Sequence, residues 1–143
     1  MYPSVPLLLV TWLADRFPDA RVATDLPGDL IDQLPVITVR RFGGSDSVHS
    51  LDNANCDVDV WAASLEEADD LAAEVRVALR LEISGSLITV GPRSGVIARV
   101  ETLSGPSERP TTWGGTSGSK GTGTSLMDVR RIGASYRITV HSH

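Results

Sequence analysis

Two carboxylates, Asp57 and Asp59, are the residues whose type and spacing best suit acid–base chemistry. One residue separates them in CDVDVWA, so a strand would place both on the same face. Paired carboxylates on one face can act as general acid and general base. However, Arg40 and Arg41 on the neighbouring predicted strand are ready cross-strand partners, and no histidine lies nearby in sequence. The pattern therefore favours arginine-paired carboxylates over a catalytic pair.

The glycine-rich stretch around Lys120 is a weak match to a phosphate-binding loop. Such a loop needs G-x-x-x-x-G-K-[ST] between a strand and a helix. Here Gly121 follows Lys120, and the next predicted element is a strand. The sequence predicts no nucleotide cofactor.

Metal-binding and nucleophilic sites are also not predicted. The three histidines (His49, His141 and His143) have no metal-ligand spacing with Cys56, and no G-x-S-x-G motif is present. We therefore expect no catalytic residue, no cofactor and no metal, and the residue chemistry argues against an enzyme.

The stretch that positions the two carboxylates, Cys56–Leu81, is predicted to be a strand leading directly into an amphipathic helix. Alternate residues of CDVDVWA are apolar and oppose Asp57, Asp59 and Trp61. The apolar period then becomes three to four residues, which is typical of one helix face. Ser64 and Glu67 have the spacing of a capping box at the helix start.

Other elements flank this unit. An N-terminal helix is predicted over Met1–Phe17, because Pro18 follows an apolar stripe, and Asp29–Leu34 is either one helical turn or a loop. Ser45–Asn55 is predicted to be a polar connection, with a possible short strand over Ser47–Leu51. The remaining predicted extended segments are Arg21–Thr24, Pro35–Gly44, Leu87–Val90, Gly95–Ser104, Leu126–Ile132 and Ala134–His141.

A long loop is predicted over Gly105–Ser125. From Gly114 onward nearly every residue is Gly, Ser or Thr, so ordering this segment would bury little apolar area. We expect Glu108–Ser125 to be mobile in the free protein. Trp113 at the root of the loop either docks on its own domain or anchors a partner.

Length, charge and cysteine content limit the classes of protein to which the chain can belong. At 143 residues the chain is long enough for one domain with a substantial core, so residues 1–143 are expected to form a single domain. The net charge of −5 argues against a nucleic-acid-binding surface. A single cysteine excludes an internal disulfide, and the apolar run Val5–Val10 is too short to span a membrane.

Three segments together resemble the tail terminator (tail completion) proteins of long-tailed bacteriophages. They are the helix-to-strand segment LLLVTWLADRFPDARVAT, the strand LPVITVRRFGG, and the strand–helix unit CDVDVWAASLEEADDLAAEVRVAL. The segment GVIARVETLSGP and the closing strand extend the resemblance over nearly the whole chain.

The resemblance implies an α+β domain with a mixed or mostly antiparallel sheet and two helices packed on one face. It implies a hexameric ring of identical subunits that caps the tail tube, ends tube polymerisation and joins the head connector. The implied partners are further copies of the chain, the tail tube protein and the head-completion protein, with DNA only passing through the lumen and no membrane involved. The implied location is the tail or neck of a virion assembled in the host cytoplasm.

Interface residues are expected in the long loop and on the charged strand face. The candidates are Glu108, Arg109, Trp113, Lys120, Arg40, Arg41, Asp57 and Asp59. Two other interpretations stay open: another neck component, such as a head-closure or minor tail protein, and a small binding or enzymatic α+β domain of a host cell.

Overall fold

The computed structural model describes residues 4–46, 51–109 and 129–142. The helices are α1 (Val5–Arg16), α2 (Leu30–Gln33) and α3 (Leu65–Val77), the last continued by a π-helical turn (Ala78–Glu82). The strands are β1 (Arg21–Ala23), β2 (Val36–Asp46), β3 (Leu51–Ala62), β4 (Leu87–Val90), β5 (Arg93–Arg109) and β6 (Arg130–Ser142).

All six strands belong to one mixed sheet with the order β1-β2-β3-β6-β5-β4. The short β1 runs parallel to β2, and every other neighbouring pair is antiparallel. This arrangement confirms the predicted α+β class and the mixed, mostly antiparallel sheet.

The main core lies between the sheet and two helices, α1 and α3. The even-numbered residues of β3 from Ala54 to Ala62 are buried there together with Leu9 of α1 and Ala72 of α3. Because these side chains form one cluster, both helices cover the same face of the sheet, as predicted. Tyr136 of β6 is the largest fully buried side chain in this layer.

The starts of the two long helices, α1 and α3, follow from local sequence. Ser4 Oγ accepts a hydrogen bond from the Leu7 N–H at 3.5 Å, and Ser64 Oγ accepts one from the Glu67 N–H at 3.2 Å. Each hydroxyl satisfies a backbone donor that has no partner within the helix. The predicted cap of α3 is therefore confirmed.

A bidentate ion pair connects α1 to the π-helical turn. Arg16 Nε donates to Glu82 Oε1 at 2.7 Å, and Arg16 Nη2 donates to Glu82 Oε2 at 3.3 Å. The hydrogen bond from Arg16 lowers the pKa of the Glu82 carboxyl.

The prediction that Ser45–Asn55 is a polar connection is wrong, because the described residues of this range belong to strands. Its first residues end β2, and β3 already begins at Leu51. Polar residues are accommodated in these strands because they pair across the sheet: Thr139 Oγ1 donates to Asn53 Oδ1 at 2.8 Å. The remainder of the predicted Ser47–Leu51 strand lies outside the described residues.

The predicted loop boundary at Gly105 also needs correction. Strand β5 continues to Arg109, and β6 is one uninterrupted strand from Arg130 rather than two extended pieces. Pairing of Glu108 with Ile132 and of Arg109 with Arg131 extends the ladder into the glycine-rich region. Residues 110–128, including Trp113 and Lys120, lie outside the described residues.

Among the helices described here, none has the length and apolar character needed to cross a membrane.

Candidate interaction surface on the open sheet face

The face of the sheet opposite α1 and α3 is polar over most of its area. Odd-numbered residues of β3 lie on this face because successive strand residues alternate between the two sides. They are Asn53, Asn55, Asp57, Asp59 and Trp61. Arginines of β2, β5 and β6 lie close to the Asp57 and Asp59 carboxylates.

We call the group formed by Arg40, Asp57, Asp59, Arg109 and Arg131 the arginine–aspartate cluster. Arg131 Nη2 donates to Asp59 Oδ2 at 2.8 Å, and Arg109 Nη1 donates to Asp59 Oδ1 at 3.2 Å. Arg109 Nη1 also lies 3.4 Å from Asp57 Oδ1, and Arg40 Nη2 lies 3.7 Å from Asp57 Oδ2. The cluster therefore connects strands β2, β3, β5 and β6.

Two small residues of β6 make room for this arrangement. Ser135 Oγ donates to Asp57 Oδ1 at 2.6 Å and lies 3.3 Å from Arg109 Nη2, which donates to it. A Cβ placed on Gly133 would meet Asp59 Oδ1 and would lie 2.6 Å from the Arg109 side chain. Glycine at position 133 thus lets the Arg109 side chain cross β6 to reach β3.

Trp61 closes one end of the open face. The short helix α2 covers it there, in a small second cluster with Leu30, Val36 and Val129. Its Nε1–H donates to Thr38 Oγ1 at 3.1 Å, and the Arg131 guanidinium lies 5.0 Å from the ring centroid. Sequence reasoning placed Trp61 on the charged face but missed this burial, which the apolar residues of α2 could have indicated.

The other predicted interface residues lie elsewhere. Arg41 was expected to partner Asp57 or Asp59, and that expectation is wrong: Arg41 Nη1 donates to Asp52 Oδ2 at 2.8 Å. Adjacent strand residues point to opposite faces, so Arg41 cannot share the face of Arg40. Glu108 pairs with Arg130, whose Nε lies 2.7 Å from the carboxylate.

Of the predicted set, then, Arg40, Asp57, Asp59 and Arg109 come together, whereas Arg41 and Glu108 form separate pairs. Arg131 and Ser135 join the cluster without having been predicted. Their partners are 72 and 78 positions away in sequence, so only the sheet register brings them together. No local sequence signal could have identified them.

The cluster suits structural pairing better than proton transfer. Each aspartate already accepts hydrogen bonds from arginine or serine donors, and its negative charge is offset by neighbouring cations. A general acid or base needs a carboxyl that can exchange its proton with a substrate. Within residues 4–46, 51–109 and 129–142, no group of three metal-ligating side chains comes together.

The single cysteine is not part of this surface. Cys56 is fully buried on the helix-covered face, and desolvation by burial raises the pKa of its thiol to about 12. The thiol is therefore protonated at neutral pH and behaves as a small apolar side chain.

No protein-family model matches the chain, and no curated protein matches it significantly. Among solved structures, the chain is similar to a chain of the "Virion of native gene transfer agent (GTA) particle". The identity is 20%, the TM-score is 0.47, and the match covers 90% of this chain and 84% of that chain. At this identity and TM-score the similarity assigns neither a family nor a function.

The arginine–aspartate cluster lies at the end of the sheet from which segment 110–128 leaves. Arg109 is the last described residue before segment 110–128, and Arg131 follows closely after that segment. Both arginines donate to Asp59, and the Glu108–Arg130 pair adds a second cross-strand link at the same end of the sheet. Arg109 and Arg131, which flank segment 110–128, are thus both held on strand β3.

Proposed function

We propose that the chain is a structural protein of a phage-like virion and, more specifically, a tail terminator. In this proposal six copies form a ring on the end of the tail tube, stop tube polymerisation and provide the surface that joins the head connector. The observation that carries the proposal is that Arg109 and Arg131, which flank segment 110–128, both donate to Asp59 in the arginine–aspartate cluster.

A segment held in this way suits assembly better than catalysis. Residues 114–125 are almost entirely Gly, Ser and Thr, a composition that contributes little to a core. Because the strands that flank segment 110–128 are held side by side, less entropy must be lost when a partner orders the segment. The rigid sheet would then present the segment at a defined place on the rim of the ring.

The remaining parts of the sequence resemblance fit this role. The proposed partners are further copies of the chain, the tail tube protein and the head-completion protein. The net charge of −5 is compatible with a lumen through which DNA passes without adhering. Assembly would take place in the host cytoplasm, and the protein would remain in the tail or neck of the virion.

Deletion of residues 114–125 tests the proposal. We expect the shortened protein to fold, because the described strands and helices all lie outside the deletion. Tails assembled with it should fail to join heads, and electron microscopy should reveal unjoined tails and heads. A matched control replaces the same residues with a scrambled sequence of identical composition and length, which separates segment length from sequence-specific contacts.

Normal particles from the deletion would overturn the role of the segment. Imaging of labelled wild-type protein in assembled particles gives a second outcome. Label at the tube end supports the terminator role, whereas label on the head side of the joint would assign the protein to head closure instead.

A further inference from the structure

The two outer strands, β1 and β4, are short, and each leaves part of the edge of its longer neighbour, β2 or β5, uncovered. On one side, β1 pairs with β2 only from Val36 to Thr38. On the other side, β4 pairs with β5 only from Arg93 to Val96, and the Ile97 backbone bonds to Gly85 and Ser86. The rest of each edge has no neighbouring strand among the described residues.

Each uncovered edge carries an exposed apolar residue at an irregularity in the strand. Phe42 lies where the β2–β3 register shifts between Arg41 and Gly43, and 50% of it is exposed. Leu103 lies where the β5–β6 register shifts between Thr102 and Ser104, and 42% of it is exposed. Natural sheet edges usually carry charged residues or proline rather than exposed large apolar side chains.

These two residues lie on opposite edges of the sheet, on either side of one shared row of residues. The register connects Arg41 with Cys56, Cys56 with Tyr136, and Tyr136 with Thr102 in one row across four strands. Phe42 directly follows the first residue of this row, and Leu103 directly follows the last. The stretches Arg40–Ser45 and Arg99–Ser104, which β1 and β4 do not cover, span the same levels, since Arg40 is level with Ser104 and Ser45 with Arg99.

We propose that the Phe42 edge of one copy packs against the Leu103 edge of the next copy, head to tail. Three antiparallel pairings separate β2 from β5, so these strands run in opposite directions. A second copy placed beside the first in the same orientation therefore brings the two edges together as antiparallel neighbours. Two different surfaces meet in such a contact, which is the geometry that closes into a ring.

The shapes of the two edges support this packing. The covering strands β1 and β4 lie at opposite ends of the sheet, which leaves the middle of each edge open. The bulges interrupt regular backbone pairing, so side chains carry the contact and open-ended sheet growth is disfavoured.

This contact rests on the proposed ring of identical subunits, and variants with one introduced cysteine each test it. Phe42→Cys and Leu103→Cys are purified separately, mixed in equal amounts at high concentration and mildly oxidised. We expect the 42–103 disulfide to exceed the 42–42 and 103–103 disulfides by about tenfold, which corresponds to a modest preference for the head-to-tail contact. Native Cys56 is buried and does not interfere.

Leu81→Cys is the matched control, because Leu81 is an apolar residue with 78% exposure that lies in the π-helical turn rather than on a sheet edge. It should form no preferred disulfide with position 42 or 103. Equal yields of all disulfides, or a preference for 42–42 or 103–103, would overturn the head-to-tail contact. Sedimentation velocity adds a second readout: Phe42→Ser should weaken self-association about tenfold, and Leu81→Ser should not change it.

The outcomes separate the contact from the proposed function. A preferred 42–103 disulfide in a protein that does not bind tail tubes would keep the contact and remove the terminator role. Tube capping without that disulfide would keep the terminator role and remove this contact.

Discussion

The Arg109 guanidinium lies 3.2 Å from the Asp59 carboxylate and joins the end of β5 to the central strand β3 across the intervening strand β6. Only 9% of the Asp59 side chain is exposed, and Arg131 donates to its other oxygen. One carboxylate therefore holds the strand that enters segment 110–128 and the strand that leaves it.

Replacing Asp59 should destabilise the protein strongly. Asp59→Ala leaves two partly buried guanidinium groups without their shared carboxylate. We expect the free energy of unfolding to fall by about 2–3 kcal/mol, less than for a fully buried ion pair because both arginines remain partly solvated. Urea denaturation measures this loss. The control is Glu101→Gln in an exposed pair, which should cost less than about 1 kcal/mol; equal losses would contradict the prediction.

Adding a methyl group at position 133 should act through the same cluster. Gly133→Ala places a Cβ against Asp59 and Arg109, so the ion pair has to shift. We expect a loss of about 1–3 kcal/mol in thermal or urea unfolding. The loss should be smaller in an Arg109→Ala background, where the crowded side chain is gone. Gly105→Ala is the control, since no atom of the described residues contacts its added Cβ within 4 Å.

The cap of α3 should have a measurable effect on stability. Ser64→Ala removes the acceptor for the Glu67 N–H and should cost about 1 kcal/mol. Ser64→Asp keeps an acceptor at the helix start and should retain most of the stability. If both variants lose the same amount, the hydroxyl is not acting as a cap.

Alkaline pH should destabilise the protein through Cys56. Burial raises the pKa of its thiol to about 12, whereas the pKa of a cysteine in the unfolded chain is about 8.5. A group whose pKa is raised by folding contributes stability below the unfolded pKa and loses it as pH rises toward the folded value. Unfolding free energy should therefore decrease above about pH 8.5.

Cys56→Ala separates this effect from other alkaline titrations. Burial also raises the pKa of Tyr136, which contributes in the same direction. The Cys56→Ala variant should lose less stability than wild type as pH increases from neutral, although its truncation lowers stability at every pH. Identical pH profiles would show that the thiol does not contribute.

The sequence predicted the elements whose patterns are local. Alternation in β6 correctly placed Ala134, Tyr136, Ile138 and Val140 on the core face. The Arg40–Asp57 pair followed from neighbouring predicted strands. The two long helices and the cap of α3 followed from periodicity and capping residues.

Features that depend on long-range register could not be predicted. The polar residues Asp52 and Asn53 have no strand signature, and they become strand residues because β2 and β6 supply partners for them. The joining of Arg109 and Arg131 on Asp59 likewise requires the β3–β6–β5 register, which no short pattern specifies.

The alternation of β3 has a consequence for how accurately the chain must fold. Asp57 and Asp59 lie between Cys56, Val58 and Val60, with charge on one side and core on the other. Sliding this strand by a single position would push two anions beneath the helices and present valines to water. A misaligned β3 would therefore lose stability in two ways, through buried carboxylates and through exposed valines. The alternation of β3 thus fixes the register of its neighbouring strands.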